Sequence, residues 1–345
     1  MTNEARQTGK ITKILANFYY VQDNKNKIWE CFVRGRLLKE GKLLFVGDEV
    51  EFEISNPTQG VIVDLKNRKN KIDKPPIANI DQVLVIFSSC EPDFDFYNLD
   101  RYLSFIKSEL TTGEILICIN KTDIKRIDIE KDYSNSGFPV FYISALTHEG
   151  LNDLVTGLVN KTTVLTGPSG VGKSSLIKAL APNEDIKIGS LSTIKQGKHI
   201  TRNVQLISIT HNTEIGFLVD TPGFTQFNFE GLDTYKIKST FKELNNIECS
   251  FSNCLHNEEE GCTIESQIKS GLVSESRYES YLKILEEAKS EIIYGTKQES
   301  KIKLVSSKEK DKKKLLPKID QKMRAKSRKK EKQELSKFEE GTKEE

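Results

Sequence analysis

Two short stretches decide the reading of this chain, Asn120-Lys121-Thr122-Asp123 and, downstream of it, Gly167-Pro168-Ser169-Gly170-Val171-Gly172-Lys173-Ser174. The second fits the phosphate-loop pattern G-x-x-x-x-G-K-[ST]. In that pattern backbone N–H groups wrap the phosphates, the lysine reaches the outer ones and the hydroxyl holds magnesium. The first suits a guanine-reading loop, because an aspartate accepts both hydrogen bonds from the guanine edge and adenine offers no matching pair of donors. Together they specify GTP with Mg2+. Ordinary GTP-binding domains carry the phosphate loop first and the guanine loop last, so the order here implies a circularly permuted P-loop GTPase domain.

The flanking pattern is that of an α/β domain. Apolar runs at 82–87, 114–119, 140–144, 162–165, 204–209 and 216–219 alternate with helical stretches at 99–110, Leu151–Leu158 and Lys173–Leu180. Such near-continuous strands separated by helices predict a parallel sheet covered on both faces. Each nucleotide motif falls just past a strand, where open α/β sheets bind ligands. Asp220-Thr221-Pro222-Gly223 follows the last strand and supplies a carboxylate for the magnesium shell and, at Gly223, an N–H for the γ-phosphate. Ser144-Ala145-Leu146 fits the loop that backs the base, and Ser175 continues the phosphate-binding set.

The stretch Gly197-Lys198-His199-Ile200-Thr201-Arg202-Asn203 lies between the phosphate loop and Asp220 and is expected to be a mobile switch. Thr201 is the candidate magnesium-sensing hydroxyl, beside Ser174 and Asp220; an ordinary surface threonine is the alternative. Phe224 follows Gly223 where many GTPases carry a water-orienting glutamine, a task a phenyl ring cannot perform. His199 is the histidine placed to orient water instead, with Lys173 and Thr201 completing the catalytic candidates; a contact to a partner is the alternative for His199.

Upstream, five short apolar runs at 11–15, 18–22, 29–33, Glu49–Ile54 and 61–65 are separated by turn residues and predict a small OB-type β-barrel. Phe18, Tyr19, Tyr20, Trp29, Arg34 and Arg36 are candidates to stack on and neutralise single-stranded nucleic acid, with barrel core the alternative for the aromatics. Lys74-Pro75-Pro76 is expected to end strand pairing and mark a domain boundary.

Downstream the chain reads as mainly helical, with a helix expected over 275–293. Within it Cys249, Cys254, His256 and Cys262 offer three thiolates and an imidazole, the set of a closed, structural tetrahedral Zn2+ site. Free buried cysteines are the alternative. Between Lys301 and Lys330 basic residues exceed Glu309, Asp311 and Asp320 by about eleven, against a net charge of +2 for all 345 residues. The tail is thus a candidate nucleic-acid contact or a solvated extension. The expected division is 1–74 barrel, 75–232 GTPase, 233–296 zinc-binding and 297–345 charged tail. Without an apolar stretch of membrane-spanning length or a signal core behind Met1-Thr2-Asn3-Glu4-Ala5-Arg6, a cytoplasmic protein with no membrane partner is expected.

With these strings assembled, from about Thr8 to Tyr294, the chain resembles the circularly permuted, ribosome small-subunit-dependent GTPases of the RsgA (YjeQ) family. The resemblance rests on 120–123 preceding 167–174, then Gly197-Lys198-His199-Ile200-Thr201, Asp220-Thr221-Pro222-Gly223-Phe224, and the four metal-ligand candidates at the family's spacing. Arg68-Lys69-Asn70 with Ala78-Asn79-Ile80-Asp81-Gln82 is similar to the family's junction between barrel and GTPase domain. It implies a late-acting, monomeric assembly factor that binds the immature small subunit and its rRNA, hydrolyses GTP to GDP when stimulated by it, and departs. The implied catalytic histidine is His199. The family commonly has two threonines after it, where this chain has Ile200 and Thr201. The Lys-rich tail after Thr296 lies outside what the resemblance leads one to expect. A nucleotide-sensing RNA-binding scaffold with negligible turnover is the rival reading, kept open by Phe224; a P-loop ATPase or kinase is a weaker one, opposed by Asp123.

Overall fold

The computed structural model describes residues 6–73, 76–110, 112–182, 204–220, 229, 232–257, 259–294, 301–305 and 314–318. The chain divides into two compact units, Met1–Ala288 and Lys289–Glu345. Among the described residues, no helix is long and apolar enough to cross a membrane.

The first unit begins with five strands, β1 (Gln7–Leu15), β2 (Phe18–Asp23), β3 (Ile28–Val33), β4 (Glu49–Ile54) and β5 (Gln59–Leu65), with helix α1 (Gly35–Lys39) between β3 and β4. They close in the order β1-β2-β3-β5-β4, the OB-like barrel anticipated from the turn spacing. A register shift between Ile11 and Lys13 marks a bulge that bends β1, whose first half pairs with β4 as well as β2. Alternate residues point inward, so Ile11, Val21, Trp29, Cys31, Val50, Phe52 and Ile62 form the core. Trp29 is therefore not a nucleic-acid platform. Its ring packs on Phe52, 5.9 Å between centroids, and its indole N–H donates to Asp23 Oδ2 at 2.9 Å.

A two-stranded connector, β6 (Lys71–Asp73) and β7 (Pro76–Ala78), leads out of the barrel. Pairing continues to Asp73 and Pro76, contrary to the expectation that the prolines would end it. Pro76 opens its strand, a position where a missing N–H is tolerated. The connector is tied by side-chain amides: Asn70 exchanges hydrogen bonds with the Ile80 backbone at 2.8 Å each way, and Asn79 donates to Gly47 O at 3.0 Å.

The central sheet contains β8 (Gln82–Ser88), β9 (Glu114–Asn120), β10 (Val140–Tyr142), β11 (Thr162–Thr166), β12 (Leu206–His211) and β13 (Glu214–Asp220) in the order β10-β9-β8-β11-β13-β12. Val83, Val85 and Phe87 of β8 face helix α2 (Phe96–Glu109); Leu84 and Ile86 face helices α4 (Leu151–Leu158) and α5 (Lys173–Leu180). Burial on both faces is why these strands read as continuous apolar runs. A short helix α3 (Glu130–Tyr133) precedes β10. All neighbours are parallel except β12 and β13, which form an antiparallel hairpin at the sheet edge. Its turn is Asn212-Thr213, both at positive φ, the geometry of a two-residue hairpin turn.

Helices α6 (Thr234–Thr240), α7 (Lys242–Asn245), α8 (Ile264–Lys269) and α9 (Glu275–Tyr294) follow, packed around Phe241, Leu244, Ile264, Tyr281 and Ile284. In the second unit, strands β14 (Lys301–Val305) and β15 (Lys314–Lys318) form an antiparallel pair.

Candidate nucleotide site and metal knuckle

The candidate guanine-reading and phosphate-binding loops, 44 residues apart at their nearest ends in the sequence count from Asp123 to Gly167, leave the same edge of the sheet because β9 and β11 run parallel on either side of β8. Asn120 joins them. Its amide nitrogen donates to Val171 O in the phosphate loop at 2.9 Å. Its oxygen accepts from Lys121 N at 2.8 Å and from Ala145 N at 3.0 Å. One buried side chain thus fixes three loops, those at 120–123, 144–146 and 167–174, in a common arrangement. Thr122 N donates to Ile143 O at 3.2 Å, and Ser144 Oγ accepts from Thr147 N at 3.0 Å, so the loop at 144–146 is held as well. Asp123, Ser169, Gly170 and Ser175 are exposed, and Lys121, Pro168, Lys173 and Ser174 half-buried.

Two phosphate-loop glycines are required by close approach. A Cβ at Gly172, where φ is +96°, would stand 2.3 Å from the Asn120 amide nitrogen; one at Gly167 would stand 2.0 Å from Ile86 O. Lys173 Nζ donates to the carbonyls of Gly167 and Pro168, each at 2.7 Å, an arrangement that curls the ammonium over the loop. Burial lowers its pKa from the ordinary lysine value, and the Asp220 carboxylate works in the opposite direction. Asp220 pairs in register with Leu165 and so borders the phosphate loop. With Ser174 at the first turn of α5, it gives the oxygen donors that suit Mg2+. His199, Thr201 and Gly223, together with Phe224, lie outside the described residues.

A further element, not among the candidates above, touches these loops. The segment between β8 and α2 braces the nucleotide loops. Ser89 N donates to Asn120 O and Ser89 Oγ to Lys121 O, both at 2.9 Å; Lys121 Nζ donates to Glu91 O. Pro92 Cδ lies 3.6 Å from where a Cβ of Gly170 would be. Asp95 ends the segment and caps α2 by accepting from Tyr97 N. The signal available was Pro92 soon after a strand at the ligand-binding edge.

The second site brings Cys249, Cys254, His256 and Cys262 together, with their ligand atoms all within 4.8 Å of one another. His256 Nδ1 lies 3.4, 3.5 and 3.5 Å from the sulfurs of Cys249, Cys254 and Cys262, and Cys249 Sγ lies 3.8 Å from Cys262 Sγ. Tetrahedral zinc with ordinary Zn–S and Zn–N bonds needs edges of about 3.6 and 3.8 Å, so the donor set fits such an ion. His256 Nε2 faces Leu244 O at 3.1 Å, which leaves Nδ1 as the ligand nitrogen. Burial, then the Lys238 charge, lowers the His256 pKa and favours the neutral, ligating imidazole. Burial pushes the Cys254 thiol up to about 12 and raises Cys262, so their ionisation calls for a cation among them. Burial also opposes ionisation at Cys249, but hydrogen bonds from the Thr263 N–H and hydroxyl and from the Cys254 and Cys262 thiols together outweigh it and its pKa is lowered.

The knuckle's backbone is held from outside. Lys238 donates to Cys254 O at 2.8 Å, Tyr281 to Leu255 O and Tyr278 to His256 O at 2.8 Å, while Glu259 accepts from Leu255 N and Asn257 N, each at 2.9 Å.

Three family models match the chain: the RsgA N-terminal domain over residues 8–62, the RsgA GTPase over 65–230, and a 50S ribosome-binding GTPase over 162–335. The last begins at the strand preceding the phosphate loop, in line with a rearranged motif order. The small ribosomal subunit biogenesis GTPase RsgA of Bacillus velezensis is 37% identical over 293 residues, covering 81% of this chain and 97% of the relative. Its counterpart from Alkaliphilus metalliredigens is 39% identical over 290 residues, with 81% and 97% covered. Among solved structures, YjeQ from Thermotoga maritima superposes with a TM-score of 0.69 at 30% identity, covering 82% of this chain and 98% of that one. YloQ, a circularly permuted GTPase, gives 0.69 at 31% identity, covering 84% and 98%.

Proposed function

The chain belongs to the RsgA GTPase family, and from that premise we propose that it hydrolyses GTP to GDP and phosphate on the immature small ribosomal subunit, using the nucleotide to time its release. The observation that carries the reading is the triple attachment of Asn120, which holds guanine-reading and phosphate-binding loops in one pocket despite their inverted order.

In this reading Asn120, Lys121, Thr122 and Asp123 select the base, with Ser144 and Ala145 behind it. Residues 167–175 hold the phosphates, Lys173 neutralises the β- and γ-phosphates, and Gly223 meets the γ-phosphate. Ser174, Thr201 and Asp220 would hold Mg2+, which supplies charge neutralisation at the transferring phosphoryl group. His199 orients the attacking water, and docking on RNA accelerates hydrolysis. Cys249, Cys254, His256 and Cys262 would hold a structural Zn2+; with four protein ligands, no position is left for substrate. The domains are 1–74, 75–232 and 233–296, followed by the tail 297–345, in a cytoplasmic monomer.

Contacts to rRNA are assigned to the barrel and the tail. On the barrel, Phe32 is 40% exposed and packs 5.1 Å from Phe18, with Arg34 and Arg36 exposed nearby in sequence. An aromatic face beside guanidinium groups suits stacked bases and phosphates.

Single-turnover GTP hydrolysis with and without purified small subunits tests the proposal. Stimulation by the subunit is expected, with loss of most of it in His199→Ala at unchanged GTP affinity. Absence of turnover in both conditions would favour a nucleotide-sensing scaffold, the reading that Phe224 supports. A His199→Ala protein as active as wild type would remove the histidine from the mechanism.

A further inference from the structure

The metal knuckle and the nucleotide loops are joined by polar contacts and short stretches of chain that meet at the buried Arg277. This arginine lies near the start of α9, next to Tyr278, whose hydroxyl grips His256 O. Its guanidinium is almost fully buried and donates to two carboxylates, Asp100 on α2 and Glu243 on α7. Glu243 adjoins Leu244, whose carbonyl receives the imidazole of His256. Tyr133 on α3 donates to the same Asp100 oxygen at 2.9 Å, and its ring lies 4.7 Å from the guanidinium. Phe241, before α7, covers the guanidinium at 5.0 Å.

Asp100 lies in the second turn of α2, and α2 starts where the segment bracing Asn120, Lys121 and Gly170 ends. Farther along α2, Ser104 shares a hydrogen bond of 2.8 Å with Thr240 of α6. The helix is therefore joined at its N-terminal end to the segment that braces the nucleotide loops, and has its side against the helices that shape the knuckle. A buried cluster of two carboxylates and one guanidinium is a poor way to gain stability, because desolvation offsets most of the attraction. It is a demanding way to fix one relative position, because its geometry tolerates little displacement before a charge is left unpaired.

We propose that Arg277 is a positioning residue that couples the two sites: it holds α2, and with it the 89–95 segment, against the nucleotide loops while the metal-bound knuckle holds α7 and the start of α9. Metal retention and nucleotide binding then strengthen each other, and a partner that grips the knuckle acts on the nucleotide pocket by the same route. Linkage requires the effect to be reciprocal. The inference rests on the nucleotide reading above; failure of that reading would appear as no GDP binding by wild type, a result distinct from GDP binding that ignores the metal.

The test uses the full chain, with GDP and Zn2+ as probes. GDP affinity is measured on Zn2+-loaded and chelator-stripped protein, and Zn2+ affinity by chelator competition with and without GDP. Stripping is expected to weaken GDP binding by about fivefold or more, with GDP tightening Zn2+ by the same factor. In Asp100→Asn, which keeps shape but weakens the hold on Arg277, the factor should fall towards one while each ligand still binds. Tyr133→Phe, lacking only a hydroxyl, should reduce it at least about twofold and serves if Asp100→Asn fails to fold. Equal GDP affinity with and without Zn2+ in folded wild type overturns the proposal, as does an undiminished factor in both variants.

Discussion

Truncating Asn120 to alanine removes the three hydrogen bonds that tie the loops at 120–123, 144–146 and 167–174. The site is closed to water, with Asn120 only 2% exposed, so the released Val171 carbonyl and the N–H groups of Lys121 and Ala145 would have to find new partners or remain unsatisfied. At about 1 kcal/mol per lost bond, the low end for buried groups left unpaired, the change amounts to about 3 kcal/mol. Part of that appears as lost stability and part as disorder of the pocket. If most falls on the pocket, nucleotide affinity drops by about 100-fold. Fluorescent GDP binding and urea unfolding measured on the same variant separate the two shares. Asn160→Ala is the control, since Asn160 bonds Glu214 at an exposed position away from the loops. A protein carrying Asn120→Ala that binds GDP within threefold of wild type, at full stability, would refute the claim that this side chain assembles the site.

Chelation should release one Zn2+ per chain and lower Tm, by about 2–4 °C for each kcal/mol lost; an unchanged Tm after complete metal removal would contradict a structural role. Burial raises the Asp100 carboxyl to about 6, the opposing pull of Arg277 and Tyr133 being smaller, while Asp100 and Glu243 overcome burial at Arg277 and keep it charged. Because the folded value exceeds the unfolded one of 3.8, Asp100 favours folding most below about pH 4 and loses that contribution as pH rises through about 6. Relative to Asp100→Asn, wild type should therefore lose up to about 3 kcal/mol in urea unfolding between pH 4 and 7.5, and parallel profiles would exclude the shift. Deleting 301–345 removes about eight excess positive charges and should weaken rRNA-fragment binding and flatten its salt dependence. An unaltered slope would free the tail of any part in RNA binding.

The nucleotide site was legible because its chemistry is local: glycines at 167 and 172, a lysine and a hydroxyl at fixed spacing, and an Asn-Lys-x-Asp string, each after an apolar run. The barrel was legible from its turns, but the side each aromatic faces was not. Trp29 could be a stacking platform or barrel core on the sequence alone, and the period-two pattern of β3 decides for core, turning Trp29 and Cys31 inward and leaving Ile28 and Phe32 outward. The antiparallel edge pair escaped the reading because Asn212-Thr213 looks like any short polar link until both residues are seen at positive φ. Arg277 was hidden for a different reason. It stands among Glu275, Glu279 and Lys283 in what reads as a solvated helix face, and its carboxylate partners come from α2 and α7, far away in sequence. The brace at 89–95 was missed likewise, since each of its contacts to Asn120, Lys121 and Gly170 has a main-chain group on at least one side, which leaves no paired side-chain pattern in the sequence.

The central claim is that Asp123 and the phosphate loop form one guanine-nucleotide pocket across a rearranged chain, and exchanging the base tests it most directly. Affinities for GDP, ADP and XDP are compared in wild type and Asp123→Asn, whose amide can donate to the 2-oxygen of xanthine but cannot accept both guanine donors. Wild type is expected to prefer GDP by at least about 100-fold over both competitors, and the variant to lose that preference and favour XDP. Undiminished selection of GDP by Asp123→Asn would contradict the account, because the base would then be read somewhere else.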